Sequence, residues 1–216
     1  MLNNLEITFL EENILFYKKL SEEEKLKFNE NAYKEIITEK YSPSVFEKEC
    51  RGLVIVVKGE LRAFLNSTEG KEITLYKLLQ GDACIFTASC IFNNINFNIS
   101  IEVTEEAEII VLPSKYVGYF QKSNGEFQKY LLHLTQWRMS EVMWLMEQIL
   151  FTSFDKRLKE YLLEFNSKSI KITHNAIAKD LGTAREVVSR MLKHFENKGM
   201  IRIFRGGIEI IDLNKE

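Results

Sequence analysis

The hydrophobic period changes three times along the chain. Residues 5–32 repeat apolar positions at helical spacing, with Ser21 and Glu24 in capping-box spacing ahead of Leu26 and Phe28. The texture then becomes β. K-E-I-I-T-E-K-Y, G-L-V-I-V-V-K-G, E-L-R-A-F-L-N, K-E-I-T-L-Y-K-L, N-F-N-I-S-I-E-V and A-E-I-I-V-L are short runs divided by turn signals such as N-S-T-E-G and Q-G-D. Evenly spaced short strands predict an antiparallel barrel or roll. From Gly125 to Phe151 the period is helical again, and Leu132, Met139, Val142, Met146 and Ile149 fall on one seam at heptad spacing. Leu131, Leu134, Trp144 and Leu145 are apolar on its other sides, so this helix needs two hydrophobic partners. The roll and a second copy of the chain are the expected pair, which predicts a homodimer; the bland alternative is a central helix buried within a monomer.

The last 64 residues carry the sharpest pattern. With His174 as the first position, a small residue (Ala178) stands fifth, glycine (Gly182) ninth and a β-branched residue (Val188) fifteenth, with Ile177, Leu181 and Met191 between them. This spacing predicts a helix-turn-helix. Ala178 lets the second helix cross closely, Gly182 accommodates the turn and Val188 fills the angle between the helices. Thr183 is expected to cap the second helix, with Glu186 folding back onto its amide to complete a capping box. Val187, Val188, Met191, Leu192 and Phe195 form the buried side, which leaves Arg185, Glu186, Ser189, Arg190 and Lys193 facing out. Lys198-Gly199 ends the helix. I-R-I-F-R-G-G-I-E-I-I-D then reads as a hairpin, or wing, with Arg205 at its tip.

Charge follows the same division. From Ser153 onward there are 13 Lys and Arg against 9 Asp and Glu, leaving 16 against 22 for residues 1–152 in a chain of formal net charge -2. The basic part is the part with the helix-turn-helix, which permits nucleic-acid binding without establishing it. No run of about 18 apolar residues is present, so no membrane span is expected. The first residues, M-L-N-N-L-E-I-T-F-L-E-E, lack the features of a signal peptide, and three cysteines without a C-x-x-C pair suit a reducing compartment. The expected location is the cytoplasm. A β-roll metalloenzyme would need several inward-facing histidines, whereas His133 is the only histidine before residue 174. No nucleophile constellation accompanies His174 or His194, so the chain reads as a non-enzyme.

L-G-T-A-R-E-V-V-S-R-M-L-K-H-F-E-N-K-G-M-I, followed by a hairpin ending in I-I-D, resembles the winged helix-turn-helix of the CRP/FNR family of bacterial transcription regulators. The layout of roll, long helix and basic C-terminal region is similar to that family across nearly the whole chain. The resemblance implies an α+β fold: an antiparallel β-roll of cyclic-nucleotide-binding type with N-terminal helices (1–124), a dimerisation helix (125–152) and a winged helix-turn-helix (153–216). It implies a homodimer that reads an inverted repeat in double-stranded DNA and contacts RNA polymerase. Arg185 and Arg190 would donate to guanine, Glu186 would accept from cytosine N4, and Ser189 would assist at a base or phosphate. Thr173, His174, Lys179, Thr183, Lys193 and Arg205 would sit on phosphates, which position the protein without reading sequence. The runner-up is a dimeric interaction module whose winged helix does not read DNA.

The family also implies a signal sensed in the roll. Cyclic-nucleotide binders of this family carry G-E-x-x-L and then an arginine followed by Ser or Thr. Here Phe97-Asn98 stands in that place, and no arginine occurs between Arg62 and Arg138. A buried phosphodiester would lack its bidentate partner, which argues against cyclic AMP. Cys84 and Cys90 stand in that loop, as structural thiols, a redox pair or ligands to iron or haem. A four-thiolate cluster lacks its cysteines, and a haem would need only one or two axial ligands, for which a cysteine with His133 is one choice. The effector is left unassigned, as is any metal.

Overall fold

The structure is a computed structural model that describes residues 1–37, 51–84, 99–103 and 106–213. The chain forms two compact units, one of residues 1–64 and 75–142, the other of residues 65–74 and 143–216.

The first unit opens with α1 (Asn4–Asn13), α2 (Leu15–Lys18) and α3 (Glu22–Asn31). The apolar period over 5–32 is therefore three helices. Ile14 leaves the helix in extended conformation, and Ser21 restarts it through the expected capping box with Glu24. A matching box, Asn3 with Glu6, starts α1. The strands follow as β1 (Tyr33–Ile37), β2 (Leu53–Lys58), β3 (Leu61–Asn66), β4 (Glu72–Leu78), β5 (Ala83–Cys84), β6 (Ile99–Val103) and β7 (Ala107–Leu112), the tip of the β3–β4 hairpin, residues 65–74, belonging to the second unit. Two sheets form, ordered β1-β7-β2-β5 and β4-β3-β6, with β7 antiparallel to both β1 and β2.

The central strands β2 and β7 of the first sheet are buried on both faces, which explains why L-V-I-V-V and I-I-V-L are continuous apolar runs, whereas the edge strand β1 is largely exposed. Leu53, Ile55, Ile110 and Leu112 join a core with Phe16, Phe28, Phe120 and Phe127. Val54, Val56, Ile109 and Val111 point the other way, to Tyr76, Leu78, Cys84 and Ile101. Each such side chain contributes about 1.5–3 kcal/mol on full burial. Phe16 and Phe127 pack as a T-shaped pair with ring centroids 4.9 Å apart. Helix α4 (Ser114–Ser123), which the sequence pattern did not single out, adds Val117 and Phe120 to the outer core. Helix α5 spans Gly125–Phe151, as expected.

The second unit contains α6 (Phe154–Glu164), β8 (Ser169–Ile170), α7 (His174–Leu181), α8 (Arg185–Asn197), β9 (Ile201–Phe204) and β10 (Gly207–Ile210). Its sheet runs β8-β10-β9, all antiparallel, with Ile208 opposite both Ile170 and Ile203. Leu158, Leu162, Ile177, Val188, Leu192, Phe195 and Ile208 make its core, each essentially inaccessible.

Candidate nucleic-acid interface

The interface is assembled around the turn between α7 and α8. Thr173 caps α7, its hydroxyl accepting from the Ala176 amide at 3.1 Å. Gly182 ends the helix in the left-handed region (φ 63°, ψ 44°), and a Cβ there would lie 2.5 Å from Ile73 Cδ1. Both conformation and space require glycine. Ala178 and Val188 are buried where the helices meet, as their spacing predicts. From beneath, Arg157 Nη1 donates to the Leu181 carbonyl at 3.1 Å, and the Tyr161 hydroxyl donates to Asp180. Those two supports were missed by sequence reasoning, because a polar side chain in an amphipathic helix gives no sign of which group on another helix it will reach.

One expected detail is corrected. The N-cap of α8 is Ala184, in extended conformation, with no side-chain cap bond. The Thr183–Glu186 capping box therefore does not form. The helix begins one residue later than the box requires, because the Thr183 amide donates back to the Ala178 carbonyl at 3.0 Å to close the preceding turn. Glu186 consequently stays exposed and clear of the cap.

Outward from this scaffold stand Arg185, Glu186 and Arg190, all exposed, with half-buried Ser189 among them. Among the described residues, neither Arg185 nor Arg190 has a hydrogen bond or ion pair. Ser189 Oγ lies 2.8 Å from His174 Nδ1, linking the first residue of α7 to the middle of α8. Burial first, and then the Arg185 cation, hold the His174 pKa below its ordinary value. Lys193 pairs with Glu196 at 2.6 Å, and the other Glu196 oxygen accepts from the Ile203 amide at 2.9 Å. Glu196 thus ties α8 to the first wing strand, and those two bonds, the Lys193 one first, lower its pKa. Sequence reasoning missed it as well; the Lys193–Glu196 spacing was the available signal. Lys179 pairs with Glu72 at 2.9 Å. Arg205 is exposed at the wing tip beside Gly206. The next residue, Gly207, has no room for a Cβ, which would come within 2.5 Å of the Ile170 carbonyl oxygen and 2.4 Å of the Phe204 ring.

Of the effector candidates, Cys84 is fully buried, facing the inner core from β5. Cys50, Cys90, Phe97 and Asn98 lie outside the described residues. Cys84 and His133 do not converge. Ala83, on the opposite face of β5, lines a pocket of about 460 Å³ with His133, Tyr130, Trp137 and Arg138, and Cys84 does not. Among the described residues no group of three or more His, Cys, Asp or Glu side chains could hold a metal ion. Arg138, from α5, is buried, stacks 4.5 Å over the Tyr76 ring and pairs with Glu141 at 2.7 Å. The roll interior is therefore not free of guanidinium groups.

Along α5, Leu132, Met139, Met146 and Ile149 are exposed. Val142 is half-buried instead, and Met143 and Leu150 are exposed in its stead, giving Leu132, Met139, Met143, Met146 and Leu150 along one face. No helix among the described residues is long and apolar enough to cross a membrane.

A roll, a long helix and a winged helix-turn-helix with an outward cationic face define a DNA-binding transcription regulator. Residues 156–215 match the Crp-like helix-turn-helix domain. A transcriptional regulator of the crp/fnr family from Eubacterium rectale is 33% identical, with 94% of this chain covering 95% of that one at a TM-score of 0.87. The chain belongs to the CRP/FNR family. The same fold is seen at 13% identity in the c-di-GMP responsive global regulator CLP of Xanthomonas campestris (88% of this chain, 99% of that one, TM-score 0.72). CooA of Carboxydothermus hydrogenoformans shares it at 20% identity (94% and 93%, TM-score 0.63). No curated protein matches the sequence significantly.

Proposed function

We propose that this regulator works in the cytoplasm as a homodimer, setting the α8 helices of two copies into successive major grooves of an inverted-repeat operator. The observation that carries this reading is the exposed outer face of α8. Arg185 and Arg190 project there without a hydrogen bond or ion pair among the described residues, while Val188, Leu192 and Phe195 on the other side are buried. A guanidinium in that position is free to donate to guanine O6 and N7, and Glu186, released from the cap, to accept from cytosine N4. Thr173, His174, Lys179, Thr183, Lys193 and Arg205 supply contacts to phosphates; Lys179 and Lys193 would exchange their present carboxylate partners for them. The apolar stripe on α5 supports self-association, since such a stripe is costly to leave in water.

A signal received in the roll would alter packing along the paired α5 helices and reset the separation of the two recognition helices. Half-sites about 34–36 Å apart make binding sensitive to that separation. RNA polymerase is the partner through which the bound dimer would act. The test is selection of a binding site from random duplex DNA, followed by titration of the Arg185→Ala and Arg190→Ala variants. An inverted repeat should emerge, and each variant should lose about 1–3 kcal/mol of discrimination at one base pair per half-site. A winged helix serving only protein contacts would select no sequence.

A further inference from the structure

We propose that His174 fixes the hydrogen-bonding polarity of Ser189, so that this serine reads an exocyclic amino group, adenine N6 or cytosine N4, at the base pair it faces. The proposal rests on the reading that α8 enters the major groove. A serine in mid-helix often donates its proton to the carbonyl four residues back. Ser189 instead has its Oγ 2.8 Å from His174 Nδ1. A hydroxyl has one proton and two acceptor lone pairs, and a neutral imidazole has one donor and one acceptor nitrogen. The direction of those single protons decides what the serine offers outward.

At pH 8, above the ordinary histidine value that burial and then the nearby Arg185 cation lower further, the His174 imidazole is neutral. Two tautomers then compete. With the proton on Nε2, Nδ1 accepts from Ser189, and Nε2–H is available to a phosphate, the role its place at the start of α7 suggests. With the proton on Nδ1, an acceptor nitrogen would face an anionic backbone. DNA selects the first. Ser189 then spends its only proton inside the protein and presents lone pairs to the groove. Arg185 and Arg190 can only donate, so an acceptor between them adds a reading of amino-bearing bases that they cannot supply. His174 is therefore a positioning residue for specificity, in addition to any contact of its own with the backbone.

The test uses the full chain at pH 8 and the operator selected by the wild-type protein. Each adenine or cytosine of a half-site is replaced in turn by purine or 2-pyrimidinone, which lack the exocyclic amino group. One replacement should weaken wild-type binding about fivefold, the worth of one hydrogen bond of about 1 kcal/mol. Ser189→Ala and His174→Ala should be insensitive to that same replacement. His174→Gln, whose amide oxygen can accept the serine proton, should regain the sensitivity. Loss of the Glu186 contact is distinguished by its persistence in Ser189→Ala. The proposal is overturned if His174→Ala keeps the wild-type sensitivity, or if no replacement is felt through Ser189. If the wild-type protein selects no operator at all, the DNA-reading function itself falls, and this inference with it.

Discussion

Helices α5 and α8 are both rich in apolar residues, and they treat their exposed faces in opposite ways. Helix α8 buries Val188, Leu192 and Phe195 and leaves charge outside. Helix α5 buries Phe127, Leu131 and Arg138 and leaves Leu132, Met139, Met143, Met146 and Leu150 outside. An exposed cationic face suits a polyanion; an exposed apolar stripe suits another apolar stripe. On the function proposed above, the two surfaces meet different partners, DNA for one and a second copy for the other.

Three perturbations separate these surfaces. The largest effect is expected from Leu192→Ala, which empties a fully buried site on the inner side of α8. It should cost about 2–5 kcal/mol in the unfolding of the C-terminal region, read by chemical denaturation. Next, Met139→Asp combined with Met146→Asp should shift the protein from dimer to monomer in analytical ultracentrifugation while leaving its far-ultraviolet circular dichroism unchanged. A monomer in the unsubstituted protein would remove the argument for the stripe.

The smallest effect concerns Glu196, whose pKa is held down by Lys193 and the Ile203 amide. A carboxylate depressed in the folded state contributes stability that is complete above its unfolded pKa of about 4.3 and is lost as pH falls through the folded value. Glu196→Gln should therefore flatten the stability–pH curve below about pH 4.3, and should loosen the wing at neutral pH, seen as faster amide exchange at Ile203. An unchanged curve would mean that the tie between α8 and β9 contributes nothing in solution.

The contrast also explains what the sequence made legible. The helix-turn-helix could be read because Ala178, Gly182 and Val188 each satisfy a local steric demand at fixed spacing. The strands were legible because their apolar runs are short and bounded by turns, and α5 because its period is long. The exposed apolar stripe on α5 was only partly legible. Apolar residues surround the helix, so Val142 and Met143 look equivalent in the sequence, and only the fold decides which one turns inward. The Thr183–Glu186 box failed for a related reason: a capping pattern does not register that a neighbouring turn has already taken the Thr183 amide. The His174–Ser189 and Arg138–Tyr76 contacts join residues from different elements, and no periodicity announces such pairs. What Glu186 and the arginines do lies one step further out, at a surface whose partner is another molecule.

The central claim is that the outer face of α8 reads bases rather than merely attracting phosphate. The most direct measurement is the affinity of wild-type and Arg185→Lys protein for the selected operator and for a scrambled duplex, across a range of salt concentrations. Lysine keeps the charge but loses the bidentate fork. Operator binding should weaken by about 1–3 kcal/mol, with scrambled-duplex affinity and its salt slope unchanged. A parallel loss on both duplexes, or no loss on either, would contradict it.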